Sequence, residues 1–352
     1  MARTSRYIDV VVAFSCLPQR SFLSLALGVA LTACGSDSSD DGVAPGGSGG
    51  AGGTAASAAG GGGVAASELP YQPCPAESDV GGFNIELGDG FTSVDGRVFD
   101  GVTPSLVPET VASAGDCRLV TLPNLLCDPA CPASTETCGA DNQCRPLPVA
   151  HSVGTVSVSG LARDVELTAN ANTGSYRPAP PALPHPGFAP GADLRLSASG
   201  GDYAAFELRG WGIEPFQFTG DTLAVGGGVP ADLSWAPPAQ AGPARVRAVL
   251  NINNHGSSNT AIECDFPDTG SAQIPASLID ALIARGASGF PTLGITRRTA
   301  TSASIEPGCV QLVVTTDIQY SIDVALAGLT SCNDDSMCPD GQTCKPIERF
   351  CE

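Results

Sequence analysis

Eight cysteines fall into two compact quartets, and no other feature limits the fold of this chain so tightly. Cys127, Cys131, Cys138 and Cys144 are separated by 3, 6 and 5 residues, and Cys332, Cys338, Cys344 and Cys351 by 5, 5 and 6. Each quartet centres on Cys-Pro, a few polar residues and Thr-Cys: Cys131-Pro132 to Thr137-Cys138, and Cys338-Pro339 to Thr343-Cys344. They read as two copies of one module of about 20 residues, too short to bury a core of its own. Two covalent bridges per module would supply the constraint, each worth about 2–4 kcal/mol. Four cysteines allow three pairings, and spacing does not choose among them. A four-thiolate zinc knuckle fits less well, because neither quartet contains a Cys-x2-Cys pair. No metal and no cofactor is expected.

Arg3, Arg6 and Arg20 precede an apolar run, Phe22 to Leu31, that ends in Leu31-Thr32-Ala33-Cys34. As a helix the run is about 15 Å long, half the thickness of a bilayer core of about 30 Å. It therefore reads as a cleaved secretory signal. Leu31-Thr32-Ala33-Cys34 resembles the lipobox of bacterial lipoproteins. That resemblance implies cleavage between Ala33 and Cys34, a lipid such as palmitate on Cys34, and attachment to a membrane of the cell envelope. The leader takes Cys16 and the lipid takes Cys34, which leaves twelve of the 14 cysteines. An even number in an exported chain reads as disulfides.

Charge narrows the partners. The full chain has 17 basic and 36 acidic residues. Loss of residues 1–33 removes three Arg and one Asp, so 14 basic residues face 35 acidic ones and the net charge moves from -19 to -21. Such acidity repels phosphate backbones, so no nucleic-acid partner is expected. Gly35 to Ser67 is Gly, Ala and Ser with an early cluster of Asp37, Asp40 and Asp41. It cannot bury enough surface to offset its ordering entropy and reads as a tether with an end-to-end distance of about 30 Å. This reach is the reason to expect an outer-membrane, surface-facing position.

Beyond Pro70 the apolar pattern has a period of two. Phe83 to Leu87 and Arg97 to Phe99 are flanked by the turn dipeptides Asp89-Gly90, Asp95-Gly96 and Asp100-Gly101. Val156 and Val158, Val165 and Leu167, Leu194 and Leu196, and Phe206 and Leu208 each place two apolar residues on one face. Val246, Ala248, Leu250 and Ile252 alternate with Arg245 and Arg247, and Ile318, Tyr320, Ile322, Val324 and Leu326 form the longest alternation. One-sided burial repeated in this way predicts a mainly β fold, an antiparallel β-sandwich. One helix is expected over Pro275 to Arg285, where Leu278 lies over Leu282 and Ile279 over Ile283, with Gly286 as the stop. The expected organisation is a leader over 1–33, a tether over 34–70, an N-terminal β module over 71–126, cysteine modules over 127–146 and 329–352, and a sandwich domain over 147–328.

Four cysteines remain for long-range bridges. Cys264 is in phase with Ile262 and Phe266 and points inward, and Cys309 stands at the start of a strand. Pairing them would close a loop of about 45 residues, worth about 4 kcal/mol, and by elimination Cys74 would pair with Cys117. The cysteine modules resemble the short, loosely EGF-like Cys-Pro-x-x-x-Thr-Cys units of bacterial surface lipoproteins. The body from Val80 to Leu326, with Asp116-Cys117-Arg118-Leu119, Ile262-Glu263-Cys264-Asp265 and Asp268-Thr269-Gly270, also looks like that of such lipoproteins. The resemblance implies a location and an architecture and brings no catalytic residue with it.

Catalytic signals are sparse. His151, His185 and His255 are the candidates for a base near neutral pH, and none has a partner at metal or nucleophile-elbow spacing. A hydrolase would have to assemble its site from distant residues around His255 or His151. Asp89, Asp95 and Asp100, and Asp334, Asp335 and Asp340, have the oxygen ligands calcium uses but not the EF-hand spacing. Trp211 and Trp235, with Tyr203, Phe206, Phe216 and Phe218 near them in sequence, offer a platform for a sugar ring if they are exposed and a core if they are not. The reading that remains is a lipid-anchored, non-catalytic envelope protein whose partner is a protein or a carbohydrate. Mass spectrometry of the mature N-terminus from membrane fractions should return an acylated Cys34; an unmodified N-terminus at any other residue would contradict the lipobox.

Overall fold

The computed structural model describes residues 65–352 apart from 220–221, 255–258, 288–289, 317, 319–322, 331 and 346–349. Four strands come first: β1 (Asp79–Leu87), β2 (Thr92–Phe99), β3 (Glu109–Ala114) and β4 (Cys117–Thr121). The first cysteine module contributes β5 (Glu136–Cys138) and β6 (Cys144–Pro146). Then follow β7 (Ala150–His151), β8 (Val156–Ser159), β9 (Val165–Leu167), β10 (Asp193–Ala198), β11 (Phe206–Trp211), β12 (Thr222–Val225) and β13 (Ala231–Ser234). The chain continues through β14 (Arg245–Asn254), β15 (Thr260–Pro267), β16 (Ser271–Ile274), helix α1 (Ala276–Ile283), β17 (Phe290–Ser304), β18 (Cys309–Thr316) and β19 (Asp323–Leu326). Among the described residues no helix is long and apolar enough to cross a membrane.

One eleven-stranded sheet organises the molecule, in the order β3-β4-β15-β14-β17-β18-β1-β2-β7, with β12 and β19 joined to it through β17. Neighbours are antiparallel except β1 with β18 and β12 with β19. The N-terminal strand thus inserts between β18 and β2 of a sheet whose other half comes from residues 245–316. Residues 71–126 and 147–328, expected as two separate units, therefore share one sheet. Local alternation identifies strands but carries no information about their neighbours.

The inner face of this sheet is covered by two layers, which makes the sandwich. Over β18, β1 and β2, the inward side chains Val310, Leu312, Val314, Phe83, Ile85 and Val98 pack against a second sheet of order β11-β10-β8-β9, through Leu194, Leu196, Phe206, Leu208, Val156 and Val158. Over β14, β15 and β4, Val246, Ala248, Leu250, Ile252, Ile262 and Leu119 pack against Leu278, Ile279 and Leu282 of α1 and against Leu233 and Ile274 of the β13–β16 pair. The apolar pairs foreseen from period-two spacing are those that face inward. The longest alternation is an exception: Ile318 is exposed, Tyr320 and Ile322 lie outside the described residues, and the strand there is the short β19.

Arg297 sits on β17 where the two layers meet, in phase with Ile295 of one core and Ala303 of the other. Its side chain is 2% exposed, and that of its partner Asp268, in the turn after β15, is 5% exposed. Arg297 Nε donates to Asp268 Oδ2 at 2.5 Å, Nη1 to the carbonyls of Glu214 and Pro215 at 3.2 and 2.9 Å, and Nη2 to that of Ala236 at 2.8 Å. Trp235 Nε1 donates to Asp268 Oδ1 at 2.8 Å, and the guanidinium lies 5.5 Å from the Phe216 ring centre. A planar fork is needed for so many acceptors, which a lysine ammonium lacks.

All twelve described cysteines form bridges. Both modules pair first with third and second with fourth, as Cys127–Cys138 with Cys131–Cys144 and Cys332–Cys344 with Cys338–Cys351. The second module is docked by Phe350, which enters the core beside α1. The long-range bridges differ from expectation: Cys117 pairs with Cys264 and Cys74 with Cys309. Strand phase turned Cys264 inward correctly, but its partner is set by β15 pairing with β4, which places Cys264 directly opposite Cys117. Cys74–Cys309 then ties the segment before β1 to the start of β18. The helix is one turn shorter than Pro275 to Arg285, with Pro275 at its cap position.

Removing one member of a buried ion pair leaves the other charge uncompensated. Arg297→Met is expected to cost about 3–5 kcal/mol in chemical denaturation of the oxidised protein, and Arg297→Lys to recover only a minor part. A loss no larger than that of an exposed substitution would show that the pair does not hold the layers together.

Candidate functional site

The outer face of the eleven-stranded sheet carries no second sheet or helix among the described residues. A groove of about 1250 Å³ runs across it. Its floor is made by Arg118 and Val120 of β4, Ala261, Glu263 and Asp265 of β15, and Arg245, Arg247, Val249 and Asn251 of β14. One wall is the segment from Pro73 to Glu77, and the opposite side includes Leu106, Pro108 and Thr110. The sequence reason is direct: the residues that alternate with the buried ones on β14 and β15 are mostly polar or charged, Arg245, Arg247, Asn251, Glu263 and Asp265, with Val249 and Ala261 among them.

Charges on the floor are paired across strands. Arg118 and Arg247 reach the two oxygens of Glu263 at 2.9 and 3.1 Å, and Arg245 reaches Asp116 at 3.2 Å. Arg245 also donates to the Asp265 carbonyl. Arg298 Nη2 bonds both Asp265 oxygens at 2.8 and 3.0 Å. Tyr71 lies between Arg245 and Arg298, whose guanidinium carbons are 5.5 and 5.6 Å from its ring centre. Its hydroxyl donates to Asp265 Oδ1 at 2.8 Å. At the wall, burial raises the Asp79 pKa, opposed by hydrogen bonds from the Gly81 amide and Gln311.

The expected site residues are dispersed. Ala33, Cys34 and His255 lie outside the described residues. His151 stands between Asp100 and Asp202, with ring nitrogens 3.4 and 3.3 Å from their carboxylates, and Tyr203 beside it. His185 Nδ1 is 3.3 Å from the Thr92 hydroxyl. Among the described residues no histidine is hydrogen-bonded to both an acid and a nucleophile. The acidic turns serve the backbone: Asp100 accepts from the Val149 amide, Asp335 from the Cys344 amide and Asp334 from the Ser336 amide. Hydrogen bonds from the Ser336 hydroxyl and amide hold the Asp334 carboxyl below its ordinary range. The cysteine quartets, whose sulfurs are near enough to share an ion, are engaged in disulfides and present no thiolate.

The tryptophans do not make a shared platform. Trp235 is 3% exposed and stacks with Phe266 inside the core. Trp211 is half-buried and packed against the close backbones of Gly191 and Gly242. Sequence reasoning missed the outer face as a site; its signal was the Arg245-x-Arg247 alternation, which was read only as the solvent side of a strand.

Fold and surface together define a disulfide-stapled β-sandwich with one open, grooved sheet face. No family model matches the chain. No curated protein matches it. Among solved structures, the crystal structure of the chicken CNTN1 FN1–FN3 domains is similar at 9% identity, with 59% of this chain and 63% of that chain covered and a TM-score of 0.16. The chain thus spans less than two thirds of that structure, and at such a TM-score the likeness bears on neither fold nor function.

Burial pushes the Tyr71 phenol well above its ordinary value; Arg298 pulls it down by less, and Asp265 adds to the rise. Above pH of about 10 the unfolded phenol ionises while the native one keeps its proton, so the native state binds more protons and stability falls as pH rises. Urea titrations above that pH should show this loss in the native sequence and a shallower slope in Tyr71→Phe. Equal slopes would contradict the burial of Tyr71 between the two arginines.

Proposed function

We propose that this chain is a lipid-anchored, non-catalytic protein of the cell envelope, held through Cys34 and a flexible tether, that captures a protein or carbohydrate ligand on the outer face of its sheet. The observation that carries the reading is the groove: a floor of three strands with paired charges, amides and small apolar patches, left uncovered. Such a surface offers hydrogen-bond donors and acceptors in fixed positions. Its ion pairs hold the side chains in place, although each exposed pair is worth only about 0–1 kcal/mol.

Several features support the location. Six disulfides suit an oxidising compartment. The Leu31-Thr32-Ala33-Cys34 sequence and the Gly/Ala/Ser segment after it fit a lipoprotein leader and tether, and the cysteine modules resemble those of bacterial surface lipoproteins. The tether enters the domain at Tyr71 and Cys74, along one wall of the groove. A ligand held there lies beside the attachment point, and an outer-membrane, surface-facing position gives it access.

Val249 lies on the groove floor with no polar partner to lose. The purified chain should co-sediment with sacculi and outer-membrane vesicles prepared from the producing cells, and Val249→Trp should abolish this by filling the groove. Equal sedimentation of the two proteins would sink the groove as the capture site.

A further inference from the structure

In a chain this acidic nearly every cation is claimed. Of the 13 Arg and Lys residues that the structure describes, nine form ion pairs with a carboxylate: Arg118, Arg145, Arg195, Arg209, Arg245, Arg247, Arg297, Arg298 and Lys345. Arg163 donates to the carbonyls of Pro181 and Ala182, and Arg285 stands exposed just beyond α1. The two that remain, Arg97 and Arg177, make no close ion pair: the Arg97 guanidinium lies 5.8 Å from the Phe99 ring centre, and Arg177 opposes the rise that burial gives the Asp95 pKa. They line the same cleft of about 460 Å³ on the outer face, beside the groove.

Their juxtaposition is built into the fold. Gly96 and Tyr176 exchange backbone hydrogen bonds at 3.1 and 2.8 Å. The Tyr176 side chain is fully buried, edge-on to Phe83 at 5.4 Å, and its hydroxyl is fixed by the Val153 amide at 2.8 Å. In an antiparallel pair with Tyr176 turned inward, Arg177 must face outward opposite Asp95, with Arg97 on the diagonal, a separation of about 7–8 Å. The floor between them is Gly82, which has no side chain to fill the space: its φ is +153°, and a Cβ would collide with the Gln311 carbonyl. Asn84 and Phe99 complete the rim. Gln311 is already engaged by Asp79 and the Cys74 amide, Ser175 by the Thr173 hydroxyl, and the Phe99 ring by Arg97, so the cleft presents to a ligand two guanidinium forks, one amide and one carboxylate.

We propose that the Arg97–Arg177 cleft binds a sugar acid, the uronate unit of an acidic polysaccharide. The forks suit a planar carboxylate. Asp95 offers acceptors only, which suits neighbouring hydroxyl groups, and with the two arginines it leaves a net charge of one, matched to a monoanion rather than to a phosphate dianion. Phe99 lies under the Arg97 guanidinium and steadies that fork at the cleft rim. Val249→Trp leaves this cleft intact, so the groove and the cleft can fail separately.

Calorimetry of the purified, disulfide-bonded chain with trigalacturonate, its methyl ester and inorganic phosphate tests the assignment. Trigalacturonate is expected to bind saturably and its ester not at all. Arg97→Gln and Arg177→Gln should each weaken binding by about tenfold, the loss of one charge-assisted contact, in proteins that still melt cooperatively well above the temperature of the titration, while Arg285→Gln has no effect. Absence of saturable uronate binding, equal binding of the ester, indifference to both arginine substitutions, or binding of phosphate alone would overturn the proposal.

Discussion

The bond between Arg297 and Asp268 is the constraint on which the rest of the structure depends. A sheet of eleven strands is too wide for one covering layer, and here two layers meet on its inner face. Where they meet, the chain passes from β11 to β12 and from β13 to β14 without regular pairing, leaving carbonyls that must be satisfied. Arg297 takes three of them, from Glu214, Pro215 and Ala236. Asp268 neutralises the charge and accepts from Trp235. A hydrophobic substitute would fill the volume and leave those carbonyls orphaned, so here the polar hub is required by topology.

One-sidedness follows. With both layers on the inner face, the outer face must be compatible with water over its whole width, and the chain meets that need with cross-strand ion pairs rather than with lysines at the edges. Glu263 between Arg118 and Arg247, and Asp265 beneath Arg298 and Tyr71, hold a polar surface in defined geometry. Rigid polar groups on strands lose little entropy when a ligand arrives, which favours binding over exposed, mobile side chains. The bridge Cys74–Cys309 and the bond from the Gln72 amide to the Ala300 carbonyl secure the groove wall formed by the segment before β1.

Much of this fold is legible in the residues alone, and the limits are physical. Burial along a strand repeats every two residues, so Val246, Ala248, Leu250 and Ile252 announce their face and Leu278 and Leu282 announce a helix. Neighbours do not repeat: nothing in the segment around Cys264 states that β15 lies against β4, and so the elimination that paired Cys264 with Cys309 failed. The same blindness separated residues 71–126 from 147–328, because the insertion of β1 beside β18 is a contact between distant segments. Arg297 was invisible for a different reason. An arginine among Thr296, Arg298 and Thr299 looks like solvent-facing polarity, and only its phase with Leu293 and Ile295 marks it as inward.

Net charge also acts differently at the two scales. A net charge of -19 on the chain argues against long anionic polymers that must lie along the whole surface, as a duplex does. A single carboxylate in a cleft feels mainly what lies within a Debye length of about 8 Å at physiological salt. The charged side chains that line the Arg97–Arg177 cleft are those two arginines and Asp95, while other carboxylates serve turns, as at Asp100 and Asp334, or pair the other arginines. An acidic protein of this kind discriminates by charge density. On the proposed reading it would repel a polyphosphate and admit an isolated monoanion presented on a partner whose remaining surface is neutral and hydroxylated.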